Sequence, residues 1–129
     1  MYFSLDNQWT RNADTIFKYA KEQNKKGNPF PIFCTCLGFQ LAAFLTSNYD
    51  NNVITDVQGD INIILPIDVV NKNSYLMETF TKNQMDKMTK GSGIMFYNHH
   101  YAVRLNTFNT NKYLKEFWNL IATSTTPYN

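Results

Sequence analysis

Phe30-Pro31-Ile32-Phe33-Cys34-Thr35-Cys36-Leu37-Gly38-Phe39-Gln40-Leu41-Ala42-Ala43-Phe44-Leu45 is the stretch on which the fold turns. Residues 30–34 are apolar, rich in β-formers and penned between Gly27-Asn28-Pro29 and the next turn. That is too short a run for a helix and predicts a buried strand. Residues 35–38 make a tight corner, and residues 39–45, apolar nearly all round, predict a buried helix.

Around this unit the chain is short and ordinary in composition. Its 129 residues, 15.1 kDa, suffice for one domain over residues 1–129 and not for two. Hydrophobic residues at 43% and charged residues at 17% exclude wholesale disorder, and ten Phe, eight Tyr and two Trp supply a core. A net charge of +2 gives no reason to expect nucleic acid or an anionic membrane as a partner. No apolar run reaches the roughly eighteen residues needed to span a bilayer. The start, Met1-Tyr2-Phe3-Ser4-Leu5-Asp6, lacks the basic and apolar regions of a secretory signal. None of the seventeen Asn residues begins an Asn-x-Ser/Thr acceptor.

Before the corner, Asn12 reads as the cap of a helix that buries Ile16, Phe17 and Ala20, turns its lysines to water and stops at Gly27. After it come a polar loop over 48–52 and strands over 53–57 and 61–65, separated by a turn at Gly59-Asp60. Short helices are expected over 75–80 and 82–88, then Gly91-Ser92-Gly93 and an extended segment over 94–97. Asn98-His99-His100-Tyr101 is a polar knot among apolar neighbours. Asn111 caps a helix over 112–117, followed by a strand over 118–123. Helix, strand, corner, helix and further strands give an α/β layered architecture. A strand ending near Pro127 needs a neighbour, so the chain is expected to be a piece of a larger domain.

Cys36 carries the chemistry. A sharp bend between strand and helix can present a nucleophile, with small flanking residues relieving the crowding. The helix that follows aims unpaired N–H groups and its positive end at the sulfur, which favours thiolate, the reactive form. The Leu37 N–H can donate to an oxyanion, and Gly38 is expected to allow close packing against the strand. A free cysteine is also among the most buried residue types, so packing remains open as the alternative use of Cys36. Cys34 reads as structural. The two are badly spaced for a disulfide, and without a second ligand pair they do not make a zinc set; no metal or cofactor is expected.

Residues 29–40 resemble the nucleophile segment of gamma-glutamyl hydrolases, which share a glutamine-amidotransferase-like fold. The family pattern is an apolar strand, Gly-x-Cys-x-Gly, then Gln or Glu four residues after Cys. Here Cys34 replaces the first Gly, while Cys36, Gly38 and Gln40 match the rest; the hydrolases often carry Glu where Gln40 stands. Residues 98–105 resemble the family segment whose histidine lines the substrate pocket, matched by His99. Residues 108–125 resemble its short helix running into a strand.

The resemblance implies a three-layer α/β sandwich of flavodoxin-like type, incomplete at both ends, of which this chain is the middle. It implies Cys36 as nucleophile, the Leu37 N–H as oxyanion donor, and His99 and Gln40 as substrate-binding residues. It further implies a small gamma-glutamyl substrate such as a folate polyglutamate and a lysosomal, vacuolar or extracellular setting, and it allows a homodimer. The family's catalytic His and Glu lie in a Gln-Trp-His-Pro-Glu-like segment that these 129 residues do not contain. Three readings follow: a hydrolase represented in part, a degenerate homologue that binds or scaffolds without catalysis, and an amidotransferase subunit. Gln40 favours the last, and the segments around His99 and Phe117 disfavour it.

Overall fold

A computed structural model describes residues 2–57, 61–90 and 94–126. In chain order the elements are α1 (Gln8–Lys25), α2 (Leu37–Thr46), a 3-10 turn (Asn51–Val53), β1 (Thr55–Asp56), β2 (Ile61–Ile64) and β3 (Asp68–Val69). There follow α3 (Tyr75–Glu78), α4 (Lys82–Thr89), β4 (Phe96–Asn98), β5 (Tyr101–Ala102), α5 (Leu105–Thr110), α6 (Lys112–Phe117) and β6 (Ala122–Thr123). Helix and strand are interspersed along the chain, as an α/β reading requires. The pairing is local: β1 with β5, β2 with β4 and β3 with β6, each antiparallel. The expected turn at Gly59-Asp60, the Gly91-Ser92-Gly93 segment and the end at Pro127 lie outside the described residues.

The centre of the molecule is α2. One side of it packs Leu41 and Phe44 against Phe3, with Ala13 of α1 and Tyr49 closing over them. Its other side packs Ala43 against Val53 and Leu114 of α6, ringed by Val103, Phe108 and Trp118. A helix that is apolar all round needs neighbours on every side, and α2 finds them from Gln40 onward, while Leu37 and Phe39 in its first turn stay exposed. Its end is fixed by Trp118, whose Nε1 donates to Thr46 Oγ1 at 2.8 Å.

Four expectations are corrected. Residues 30–34 form no strand: among the described residues nothing pairs with them, and Phe33 is 93% exposed. Pro31 has no N–H to give a ladder, and Asn24 already occupies both backbone groups of Phe30. The first helix begins a turn earlier than Asn12, because Asn7, in extended backbone, accepts the Trp9 N–H at 2.8 Å and acts as the cap. On that helix Ala20 is buried as expected, but Ile16 faces outward and the buried partner is Thr10. The strands are shorter than their β-rich runs: Val53 falls in the 3-10 turn, and only Ala122–Thr123 of the last run pairs.

Several other local readings hold. Gly27 ends the α1 region with φ +80, a conformation glycine adopts without penalty. The two short helices occur as α3 and α4, the second closed by a reciprocal Thr81–Gln84 capping box. Asn111 Oδ1 accepts from Tyr113 and Leu114 N–H, both at 3.1 Å, and starts α6 where its cap predicts.

Candidate active site

The corner at 35–38 is a β-turn. Gly38 N–H donates to the Thr35 carbonyl at 2.8 Å, and Cys36 sits at the second position with φ 50 and ψ −120. Those are the angles of a type II′ turn, where glycine is the preferred residue. A cysteine held there carries backbone strain of order 1–3 kcal/mol, stored where the side chain is displayed. Cys36 is accordingly exposed. It is also the N-cap residue of α2, and its carbonyl accepts the Gln40 N–H at 3.1 Å. Leu37 and Phe39 stand with Gly38 in the first turn of α2, where the helix itself offers N–H groups no carbonyl.

Cys34 differs from Cys36 in exposure. It is half-buried, and burial pushes its thiol above the ordinary value. Gly38 does not play its expected packing part. A Cβ built there would meet nothing within 4 Å, since no paired strand passes it.

Gln40 lies one helical turn beyond Cys36 and is buried, 5% exposed. Its Nε2 donates to the Tyr101 carbonyl at 3.0 Å, across 61 residues of chain. Its Oε1 is buried with no hydrogen-bond partner among the described residues. The bond joins α2 to the start of β5, immediately after the turn that carries both histidines. His99 is half-buried, its ring 5.7 Å from that of Tyr97. His100 is exposed, and its carbonyl accepts the Val57 N–H at 2.7 Å.

The structure thus joins Gln40 directly to the 99–101 segment and places Cys36 at the exposed start of the same helix. Sequence reasoning missed Tyr101, which contributes only its carbonyl and so leaves no side-chain signal. The one available clue was a glutamine in an otherwise apolar helix, which in a buried position demands a partner. Among the described residues no group of three or more His, Cys, Asp and Glu side chains stands close enough to hold a metal ion. No helix among them is long and apolar enough to cross a membrane.

Comparison with curated proteins shows what the chain resembles. Gamma-glutamyl hydrolase B of Dictyostelium discoideum is 28% identical over 125 residues, covering 95% of this chain and 35% of the relative. The chain is similar to gamma-glutamyl hydrolases. Gamma-glutamyl hydrolase 1 of Arabidopsis thaliana is 28% identical over 109 residues, 84% of this chain and 31% of its own. The gamma-glutamyl hydrolase of Mus musculus is 26% identical over 122 residues, 93% of this chain and 37% of its own. The chain therefore spans about a third of the length of the gamma-glutamyl hydrolases it matches. No family model matches.

Proposed function

We propose that this chain carries the nucleophile of a cysteine hydrolase that cleaves gamma-glutamyl bonds, within a glutamine-amidotransferase-like domain. The observation that carries the reading is Cys36 itself: exposed, strained into φ 50 and ψ −120, and standing at the start of a buried helix. Strain of this kind persists where surrounding structure enforces it, and such positions cluster at active sites. The similarity to gamma-glutamyl hydrolases along most of the chain supplies the bond type.

In this reading the Cys36 thiolate attacks the gamma-carbonyl carbon, and the Leu37 N–H donates to the oxyanion that forms. Collapse breaks the C–N bond; the amine leaves with a proton and a thioester remains on Cys36. Water then adds to the thioester, releasing the gamma-carboxylate and restoring the thiol. His99 and Gln40 bind the substrate. The substrate class is a folate polyglutamate or another small gamma-glutamyl compound.

A proton must also reach the departing amine, and His99 and His100 are the chain's two imidazoles. The resemblance gives His99 a substrate-binding part and His100 none, so in this reading neither is the general acid. The chain by itself is therefore expected to give no turnover. A non-catalytic binding or scaffold piece is the second reading.

The test is release of glutamate from a gamma-glutamyl peptide, measured by mass spectrometry. The chain joined in frame to the flanking segments of a gamma-glutamyl hydrolase should hydrolyse the peptide, and Cys36→Ser should abolish release. Turnover surviving Cys36→Ser would overturn the assignment.

A further inference from the structure

We propose that Gln40 is a positioning residue: its amide donor ties the helix that presents Cys36 to the turn that carries His99. The inference rests on the reading that Cys36 and His99 serve one site, and it adds how their relative placement is held. Gln40 is rigidly coupled to the corner, because its own N–H donates to the Cys36 carbonyl at 3.1 Å. At its other end, Nε2 holds the Tyr101 carbonyl at 3.0 Å, two residues after His99. Tyr101 is paired in register with Asp56 of β1, and the His100 carbonyl accepts from Val57. The turn is thus gripped by β1 on one side and by α2 on the other.

A residue that only filled this space would be apolar. Burying an amide at 5% exposure, with Oε1 unmatched, is unfavourable unless the donor at the other end does something an aliphatic chain cannot. What it does is fix a carbonyl at hydrogen-bond distance, and a carbonyl accepts only from a group that bears a proton. Glutamate at this position would hold Tyr101 only in its protonated form, and burial favours that form.

The test is made on the 129-residue chain by following the backbone amides of His99 and Ala102 in ¹H–¹⁵N spectra between about pH 4 and 8. The ionisable groups around the link are Cys36 on α2, Asp56 on β1, and His99, His100 and Tyr101 on the turn. All are common to every variant, so the wild-type titration is the baseline. Gln40→Met should shift both amides at all pH values. Gln40→Glu should overlay wild type in acid and follow Gln40→Met at neutral pH, with a midpoint above the usual Glu value of about 4.3. A Gln40→Met spectrum that overlays wild type would overturn the proposal. Should Gln40→Met fail to fold, Gln40→Glu decides alone. Agreement with wild type in acid and divergence near neutrality supports the link, and a Gln40→Glu titration that follows wild type throughout refutes it. Position, not turnover, is read, so failure of Cys36 as a nucleophile would be a separate result.

Discussion

Trp118 Nε1 donates to Thr46 Oγ1 at 2.8 Å, and the same hydroxyl donates onward to the Ala42 carbonyl at 2.7 Å. This short relay fastens the C-terminal end of α2 to the chain leaving α6, 72 residues later. Thr46→Val keeps the shape and removes the acceptor, leaving a half-buried indole N–H without its bond. The expected loss is about 1–3 kcal/mol of unfolding free energy, read from a denaturant titration. An unchanged midpoint would show that the relay is not holding the helix.

The core around α2 should respond very differently from the surface beside it. Leu114 is 1% exposed between Ala43 and Val53, so Leu114→Ala should cost about 2–5 kcal/mol. Phe33, large but 93% exposed, should tolerate Phe33→Ser within about 0.5 kcal/mol. Equal losses at both positions would mean that residues 30–34 are packed after all.

The corner allows a paired backbone test. Gly38 lies inside α2 with open space around its missing Cβ, so Gly38→Ala should stabilise the chain by about 0.5–1 kcal/mol. Cys36→Gly should also stabilise, by about 1 kcal/mol, because glycine accepts φ 50 and ψ −120 without strain. Thermal unfolding checks both, and destabilisation by Cys36→Gly would remove the strain from the account.

Burial raises the Cys34 thiol above its ordinary value of 9.0. The unfolded chain therefore ionises first as pH rises. This contribution is fully present below pH 9.0 and is lost as pH climbs through the folded value. Between about pH 8 and 10 the wild-type unfolding midpoint should fall more than that of Cys34→Val. Parallel curves would contradict the assignment.

How much was legible in the sequence depended on how local its physics is. The Asn111 cap, the helix pair over 75–89, the Gly27 stop and the corner at 35–38 each rest on a few neighbouring residues and could be read directly. Residues 30–34 could not: an apolar β-rich run becomes a strand only where a partner offers a ladder, and here Asn24 takes both groups of Phe30. The same holds for residues 53–57 and 118–123, where long-range pairing trimmed the strands to two residues each. Within the candidate site, Cys36 and Gln40 were visible as residue types in a pattern. The Gln40–Tyr101 bond was not, because a backbone carbonyl 61 positions away has no sequence signature.

Covalent capture of Cys36 tests the central claim most directly. A gamma-glutamyl p-nitrophenyl ester has a leaving group that needs no proton, so the chain should acylate without a general acid. Intact and peptide mass spectrometry should find one gamma-glutamyl adduct on Cys36, retained in Cys34→Ala and absent in Cys36→Ala. Acylation of Cys34 in place of Cys36, or an adduct that survives Cys36→Ala, would contradict the account.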